Sequence, residues 1–277
     1  MKTVPPPASH ISAGHRARTG LVAVSWRTAR TVIALMLREM GSTYGRSPGG
    51  YVWALLEPVG AILILALAFS LMLRAPSLGT SFILFYATGF LPFNVYSDIA
   101  TKVGGALGYS KPLLAYPGVT WVDAVMARFL LNSLTGLTVF CLLITSILIV
   151  VDAHTVIALG PILTGLSMAA LLGLGVGLLN SVLKGLYPVW GRIWGIINRP
   201  LFLASGVFFT YEDMPPRAQE ILIWNPLLHV VGLVRRGFYP TYQASYVSLT
   251  YGFGVAMIMV MLGMIFMRAH YKTVLER

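Results

Sequence analysis

Charge is scarce in this sequence, and acid is scarcer than base. Aspartate and glutamate number 9, lysine and arginine 20, so only 10% of the 277 residues are charged. A soluble domain of this size carries about 25%. With 57% hydrophobic residues and a mean hydropathy of +0.77, the chain reads as a membrane protein. Cysteine is almost missing. Cys141 stands alone inside an apolar run, which excludes a disulfide framework and leaves it a small packing residue. The opening MKTVPPPASHISAGHRARTG lacks the apolar core of a signal peptide, and residues 1–25 read as a disordered cytoplasmic lead.

Catalytic motifs are missing too. There is no GxxxxGK[ST] phosphate loop, no HExxH, no GxSxG and no cysteine pair. The five histidines (His10, His15, His154, His229 and His270) are scattered. Glu57, Asp98, Asp123 and Asp152 lie in or beside apolar runs, with no two on one helix face. A membrane enzyme needs clustered acid and base groups, and an ion-coupled transporter needs inverted repeats and carboxylates near the midplane. No catalytic residue, metal site or cofactor is therefore expected in this chain.

What the chain does have is long apolar runs. A bilayer core needs about 20 apolar residues in a helix, and such runs occur near 51–73, 82–101, 121–151, 156–186, 188–209 and 247–267. Six spans put the basic segments on one side. These are Arg16 to Arg46, Lys102 with Lys111, Lys184 with Arg192, and the tail at 270–277 with Arg268 just before it. The positive-inside rule then places both termini in the cytoplasm. The net charge of +11 follows from that topology and requires no nucleic acid. The expected architecture is all-α, with a transmembrane domain over 51–269.

Two segments do not fit plain spans. Residues 26–45 repeat apolar positions at helical spacing (Trp26, Val32 or Ile33, Met36 or Leu37, Met40), with Arg27, Arg30 and Arg38 on the remaining surface. That pattern predicts an amphipathic helix lying in the membrane interface, or one packed on a soluble partner. The second segment, SGVFFTYEDMPPRAQEILIWNPLLHVVGLVRRGFY, holds two apolar pieces too short to cross a bilayer. Proline suits a helix start and not its interior, so Pro215 opens one short helix and Asn225-Pro226 separates it from the next. Arg235 and Arg236 are expected at the water boundary.

Aromatic stripes stand out on two spans. Trp190, Trp194, Asn198 and Phe202 recur at four-residue intervals on the fifth, and Phe82, Phe85 or Tyr86, Phe90 and Phe93 on the second. Such a stripe is packing and lipid belt or, under the family resemblance given next, a track on which sugar rings slide. Arg199 lies about ten residues into the fifth span, roughly 15 Å deep. At that depth it needs a partner or a wet cavity: an ion pair with Glu57 or Asp98 or, under the resemblance given next, a phosphate or acidic sugar of a substrate.

Several stretches resemble a known family. ARTVIALMLREMGSTYGRSPGGYVWALLEP, LPFNVYSD, GYSKPLLAYPGVTWVDA, NRPLFLASGVFFTYEDMP and NPLLHVVGLVRRGFY resemble type-2 ABC exporter permeases. The SGVFF-then-Pro wording points to the KpsM-type capsule polysaccharide export branch. The resemblance covers almost all of the chain from about Trp26. It implies six transmembrane helices, an interface helix, and two re-entrant gate helices at about 215–238 between spans five and six. It implies a homodimer that exports lipid-linked capsular polysaccharide through the inner membrane, driven by a separate cytoplasmic subunit that binds ATP and Mg. A periplasm-spanning copolymerase-like protein and an outer-membrane channel are further implied partners. Export of O-antigen or another lipid-linked glycan is the alternative within the class, and a membrane enzyme acting on lipid-linked sugars the alternative outside it.

The same resemblance implies roles for residues. Tyr109, Lys111, Pro112, Leu113, Leu114, Tyr116 and Pro117, in the 108–120 loop, would dock the ATPase. Phe208, Phe209, Pro215, Trp224, Asn225, Pro226, His229 and Arg235 would form the gate. Arg199, Trp190, Trp194, Asn198, Phe202, Arg46, Trp53 and Glu57 would line the substrate path. Gly232 departs from the family pattern, where many members carry an acidic residue. Gly173/Gly177 and Gly191/Gly195 are small-residue pairs that permit close helix contact within or between subunits.

Overall fold

A computed structural model describes residues 19–44, 50–114, 118–151 and 156–276. Among the described residues the structure is helical, without strands. In chain order the helices are α1 (Thr19–Tyr44), α2 (Gly50–Met72), α3 (Phe82–Gly104), α4 (Ala106–Leu114), α5 (Trp121–Val151), α6 (Leu159–Leu186), α7 (Trp190–Leu203), α8 (Pro216–Leu222), α9 (Pro226–Phe238) and α10 (Leu249–Glu276). A single 3-10 turn, Tyr211–Asp213, precedes α8. Helix α1 begins seven residues before the interface helix read from the sequence.

Among the described residues, four helices are long and apolar enough to cross a membrane: α2 over Val52–Met72, α5, α6 and α10. Helix α3 is of similar length, yet it carries Asn94, Asp98 and Lys102. It is also wrapped by α2, α5, α6 and α9, and most of its length is buried. The three polar residues fall outside its buried face and line a cleft that α3 shares with α2 and α5. Its aromatic stripe is consumed by that packing: Phe85 and Tyr86 are each 1% exposed, and Phe93 packs on Tyr96 and Phe202.

In the run 188–209, read as the fifth span, the helix is shorter than the run. Helix α7 has 14 residues, about 21 Å at 1.5 Å per residue, short of the ~30 Å hydrocarbon core. Beyond Leu203 the backbone turns, and Gly206 takes φ +79°, a left-handed conformation that glycine adopts without strain. The segment 204–210 then returns toward α9.

Small residues set the tightest packing. A Cβ added at Gly173 would lie 2.8 Å from Tyr96 O, and one at Gly177 2.7 Å from Val103 Cβ, so this pair serves contact between α6 and α3 within the chain. Gly191 and Gly195, on α7, have no atom in the way of an added Cβ.

The helix order gives the bundle two ends. Helices α1 and α4, the start of α5 and the end of α10 lie at one, the α4 end: Trp121 packs on Tyr271 and Gly185 faces Val274. The start of α6, helix α9 and the start of α10 lie at the other, the α9 end: Phe140 packs on Phe238, and His229 accepts from Ser248 N at 3.1 Å.

Candidate functional site

At the α4 end, the segment read as a docking loop is largely a helix. Tyr109, Lys111, Pro112, Leu113 and Leu114 all lie on α4, and Pro112 occupies its last turn. Tyr116 and Pro117 lie outside the described residues, as does Arg46. Lys111 and Pro112 are exposed, and Leu113 and Leu114 half-buried.

Tyr109 is held between two arginines. The Arg128 guanidinium of α5 lies 4.2 Å from its ring centroid and that of Arg38 on α1 lies 5.3 Å away, both within cation–π range. The Tyr109 hydroxyl also hydrogen-bonds Ser42 of α1. Arg128 does more than cover the ring. It donates to Lys102 O at 2.6 Å and pairs through Nε with Glu39 Oε2 at 3.2 Å. One guanidinium thus joins α1, α3, α4 and α5. Burial pushes the Glu39 carboxyl up, against the pull of Arg128 and Lys102. Glu39 and Arg128 were not singled out in the sequence. Their signal was there: a lone acid in a basic helix, and a lone arginine at the head of an apolar run, which by itself calls for a partner.

At the α9 end the sequence-derived gate residues do come together. Pro215 precedes α8 and Asn225 caps α9, its side chain accepting from Leu227 N at 3.1 Å. The Asn225 amide also donates to Ala204 O at 2.9 Å, tying α9 to the end of α7. His229 is buried and bonded on both ring nitrogens, to Ile223 O (2.8 Å) and Ser248 N (3.1 Å). Because Nδ1 accepts, Nε2 carries the proton and the ring is neutral. Phe208 packs on Phe202 and Phe69. Trp224 stays 71% exposed, whereas Leu227, Leu228 and Val231 enter the core.

Arg235 is a correction, for it does not sit at the water boundary. It is 1% exposed and donates to Phe209 O (2.7 Å) and Val207 O (2.9 Å). Its guanidinium lies 4.1 Å from the Phe85 ring centroid. Gly89 makes the space: a Cβ there would meet Arg235 Nη2 and Val207 Cα at 3.0 Å. Arg235 therefore pins the turn after α7 onto α3 and α9. Arg236, its neighbour, is exposed. The sequence could not tell these two apart, since burial was decided by a one-residue rotation on α9. At Gly232 the position of a side chain is taken by Tyr246, whose hydroxyl would lie 2.4 Å from an added Cβ.

The residues read as a substrate path divide. Trp190, Trp194, Asn198 and Phe202 are half-buried, and the first and last face the bundle. Trp190 Nε1 donates to Asn180 Oδ1 at 2.8 Å, and Phe202 packs on Phe90 and Phe93. Arg199 is exposed. It pairs with neither Glu57 nor Asp98; the one ion pair among the described residues is Glu39–Arg128. Trp53 and Glu57 lie elsewhere, in a cleft between α2, α3 and α5 that also takes in Asp98. Reading each helix face separately missed this, because the two carboxylates come from different helices.

Comparison with known proteins follows the same outline. The family model described as "ABC-2 type transporter" matches residues 30–239. The chain is 30% identical over 245 residues to the polysialic acid transport protein KpsM of Escherichia coli, covering 88% of this chain and 95% of that protein. It is 26% identical over 250 residues to the capsule polysaccharide export inner-membrane protein BexB of Haemophilus influenzae, covering 88% and 92%. It is 26% identical over 219 residues to the corresponding protein CtrC of Neisseria meningitidis serogroup B, covering 78% and 82%.

Proposed function

Because the chain belongs to the ABC-2 type transporter family, we propose that it is the membrane subunit of an exporter that moves lipid-linked capsular polysaccharide across the inner membrane. The names of its relatives support the cargo. A transporter subunit without a phosphate loop needs a separate ATP-binding partner. The observation that carries the coupling is the clasp on Tyr109. A partner that moves α4 moves α1, α3 and α5 with it, because Arg128 holds all four.

The charge pattern supports the orientation. Arg30, Arg38, Lys102, Lys111, Arg128, Lys184, Arg192, Arg268 and Lys272 belong to the α4 end. At the α9 end Arg74, Arg217, Arg235 and Arg236 are offset by Glu212, Asp213 and Glu220. The α4 end then faces the cytoplasm with both termini. In this reading α3 crosses inside its protein sheath and α7 crosses together with the turn that follows it, making six passes. Helices α8 and α9 re-enter the outer leaflet, where the surrounding protein satisfies their backbone.

The bare face of α7 supports a homodimer. None of its residues is buried, and Gly191 and Gly195 lie open for a second copy. Arg199, on that exposed face, then meets the export path and the substrate's phosphate or acidic sugars. A periplasm-spanning partner and an outer-membrane channel belong to the same reading. The docking role is tested by replacing Lys111–Leu114 with Gly and Ser. Export is lost while the protein still inserts and folds; unchanged export and complex formation refute the role.

A further inference from the structure

Two cavities lie along the seam of α2, α3 and α5, and they differ in chemistry. The one nearer the α4 end is a cleft of about 270 Å³, characterised by Trp53, Glu57, Asn94, Asp98, Lys102 and Asn132. Asn94, Asp98 and Lys102 follow at intervals of four on α3, a ladder with rungs about 6 Å apart. Asn94 Nδ2 donates to Asp98 Oδ2 at 3.0 Å, which fixes one carboxylate. Among the described residues no ion pair takes up Lys102, Asp98 or Glu57, and the cleft presents both signs of charge. Asn132 is 9% exposed and spends its amide nitrogen on Arg128 O at 2.7 Å. Its side-chain carbonyl has no donor among the described residues.

Farther toward the α9 end, on the same three helices, lies a second cavity of about 210 Å³, walled by Val59, Ile62, Ile83, Leu143 and Ile147. Its polar lining residue, Ser146, has its hydroxyl turned to Leu142 O at 2.8 Å. The seam is thus charged at one end and apolar at the other.

Charge decides between occupants. An anion alone meets two carboxylates, and a simple cation leaves Lys102 unpaired. A neutral sugar leaves all three charges without a counterion beside a low-dielectric medium, which is costly. A ligand bearing both signs pairs all of them. From Asp98 to Ile83 is fifteen residues, about 22 Å along α3, a length that an extended acyl chain fills.

We propose that the two cavities form one groove that holds a zwitterionic phospholipid with a primary ammonium: an acyl chain along the apolar half, the ammonium against Glu57 and Asp98, and the phosphate just before it in the same cleft, met by Lys102, whose side chain is long enough to reach back one rung of the ladder. A primary ammonium offers three N–H donors, matching the two carboxylates and the free Asn132 carbonyl. A quaternary ammonium offers none. The site abuts the Tyr109 clasp: Arg128 takes the Lys102 carbonyl and gives its own to Asn132. Lipid in the groove therefore braces the frame on which α4 is held.

The test reads lipid binding and does not depend on export. Delipidated protein is titrated with phosphatidylethanolamine, phosphatidylcholine and phosphatidylglycerol of identical acyl chains and followed by native mass spectrometry. One phosphatidylethanolamine per chain binds about tenfold more tightly than either competitor, the worth of a charge-assisted hydrogen bond. The pair Glu57→Gln and Asp98→Asn removes that preference. Ile147→Trp, which fills the apolar half, weakens all three lipids alike. Equal binding of the three by the unmodified protein, or a preference for phosphatidylglycerol, overturns the proposal. So does a double variant that keeps the preference.

Discussion

Removing the Glu39 carboxylate should cost more than an interface-helix residue is expected to cost. The Glu39 and Arg128 side chains are 5% and 8% exposed, and their charged atoms lie 3.2 Å apart. At an effective dielectric of 20, two unit charges at that distance attract by about 5 kcal/mol. Desolvating both ions offsets much of this, as the upward push on the Glu39 carboxyl shows. The pair is thus a modest net contributor, but half of it is a liability. Glu39→Gln leaves the Arg128 guanidinium buried without its counter-charge, and Arg128→Gln strands the carboxylate; each change costs about 3–5 kcal/mol. Arg128→Gln also loses the bond to Lys102 O and the contact with Tyr109, so it is the worse of the two. Combining them removes both charges, and the double variant is no less stable than Arg128→Gln alone. The measurement is a double-mutant cycle on thermal stability of the purified protein, read by the loss of the monodisperse species on heating. If the two single losses simply add in the double variant, the buried pair does not hold α1 to the bundle and the argument fails.

Three further outcomes are expected. Arg235→Met leaves Val207 O and Phe209 O without their donor and destabilises by about 1–3 kcal/mol per orphaned carbonyl. Arg235→Lys keeps the charge but cannot fork to both, so it falls between; cysteine reactivity at Phe208 then rises in both variants, and unchanged reactivity refutes the pinning role. Gly173→Ala drives a Cβ to within 2.8 Å of Tyr96 O and costs about 1–3 kcal/mol through overpacking, whereas Gly195→Leu meets nothing in the chain and lowers only the dimer fraction by light scattering; a dimer that survives Gly195→Leu refutes the α7 interface. Arg199→Gln reduces export more than Arg199→Lys while complex formation with the ATPase is unchanged; equal export in both variants removes the substrate role.

Features that depend on local rules were legible in the sequence. Pro215 and Asn225-Pro226 mark the starts of α8 and α9, because proline cannot sit deeper in a helix without losing a bond. Apolar length announced α2, α5, α6 and α10. Features decided by tertiary contact were not legible. The 188–209 run is apolar enough for a span, yet its helix ends at Leu203, where Arg235 and Asn225 draw the backbone toward α9. Arg235 and Arg236 are neighbours with the same chemistry, and packing buried one and exposed the other. The two arginines that hold Tyr109 lie 19 and 71 positions away in sequence, beyond any periodicity. Glu57 and Asp98 share a cleft only because α2 lies along α3 and α5.

The protein sheath around α3 has a consequence for how the chain is made. Asn94, Asp98 and Lys102 make the second half of α3 polar, and such groups are costly to place in lipid. The helices that cover it on most sides, α5, α6 and α9, emerge from the ribosome after it. Only α2 is there beforehand. During synthesis α3 is therefore a helix waiting for its neighbours, retained beside α2 or at the insertion machinery until α5 and α6 arrive. The order of the genetic message, and not hydrophobicity alone, then sets when the centre of this bundle becomes a stable resident of the membrane.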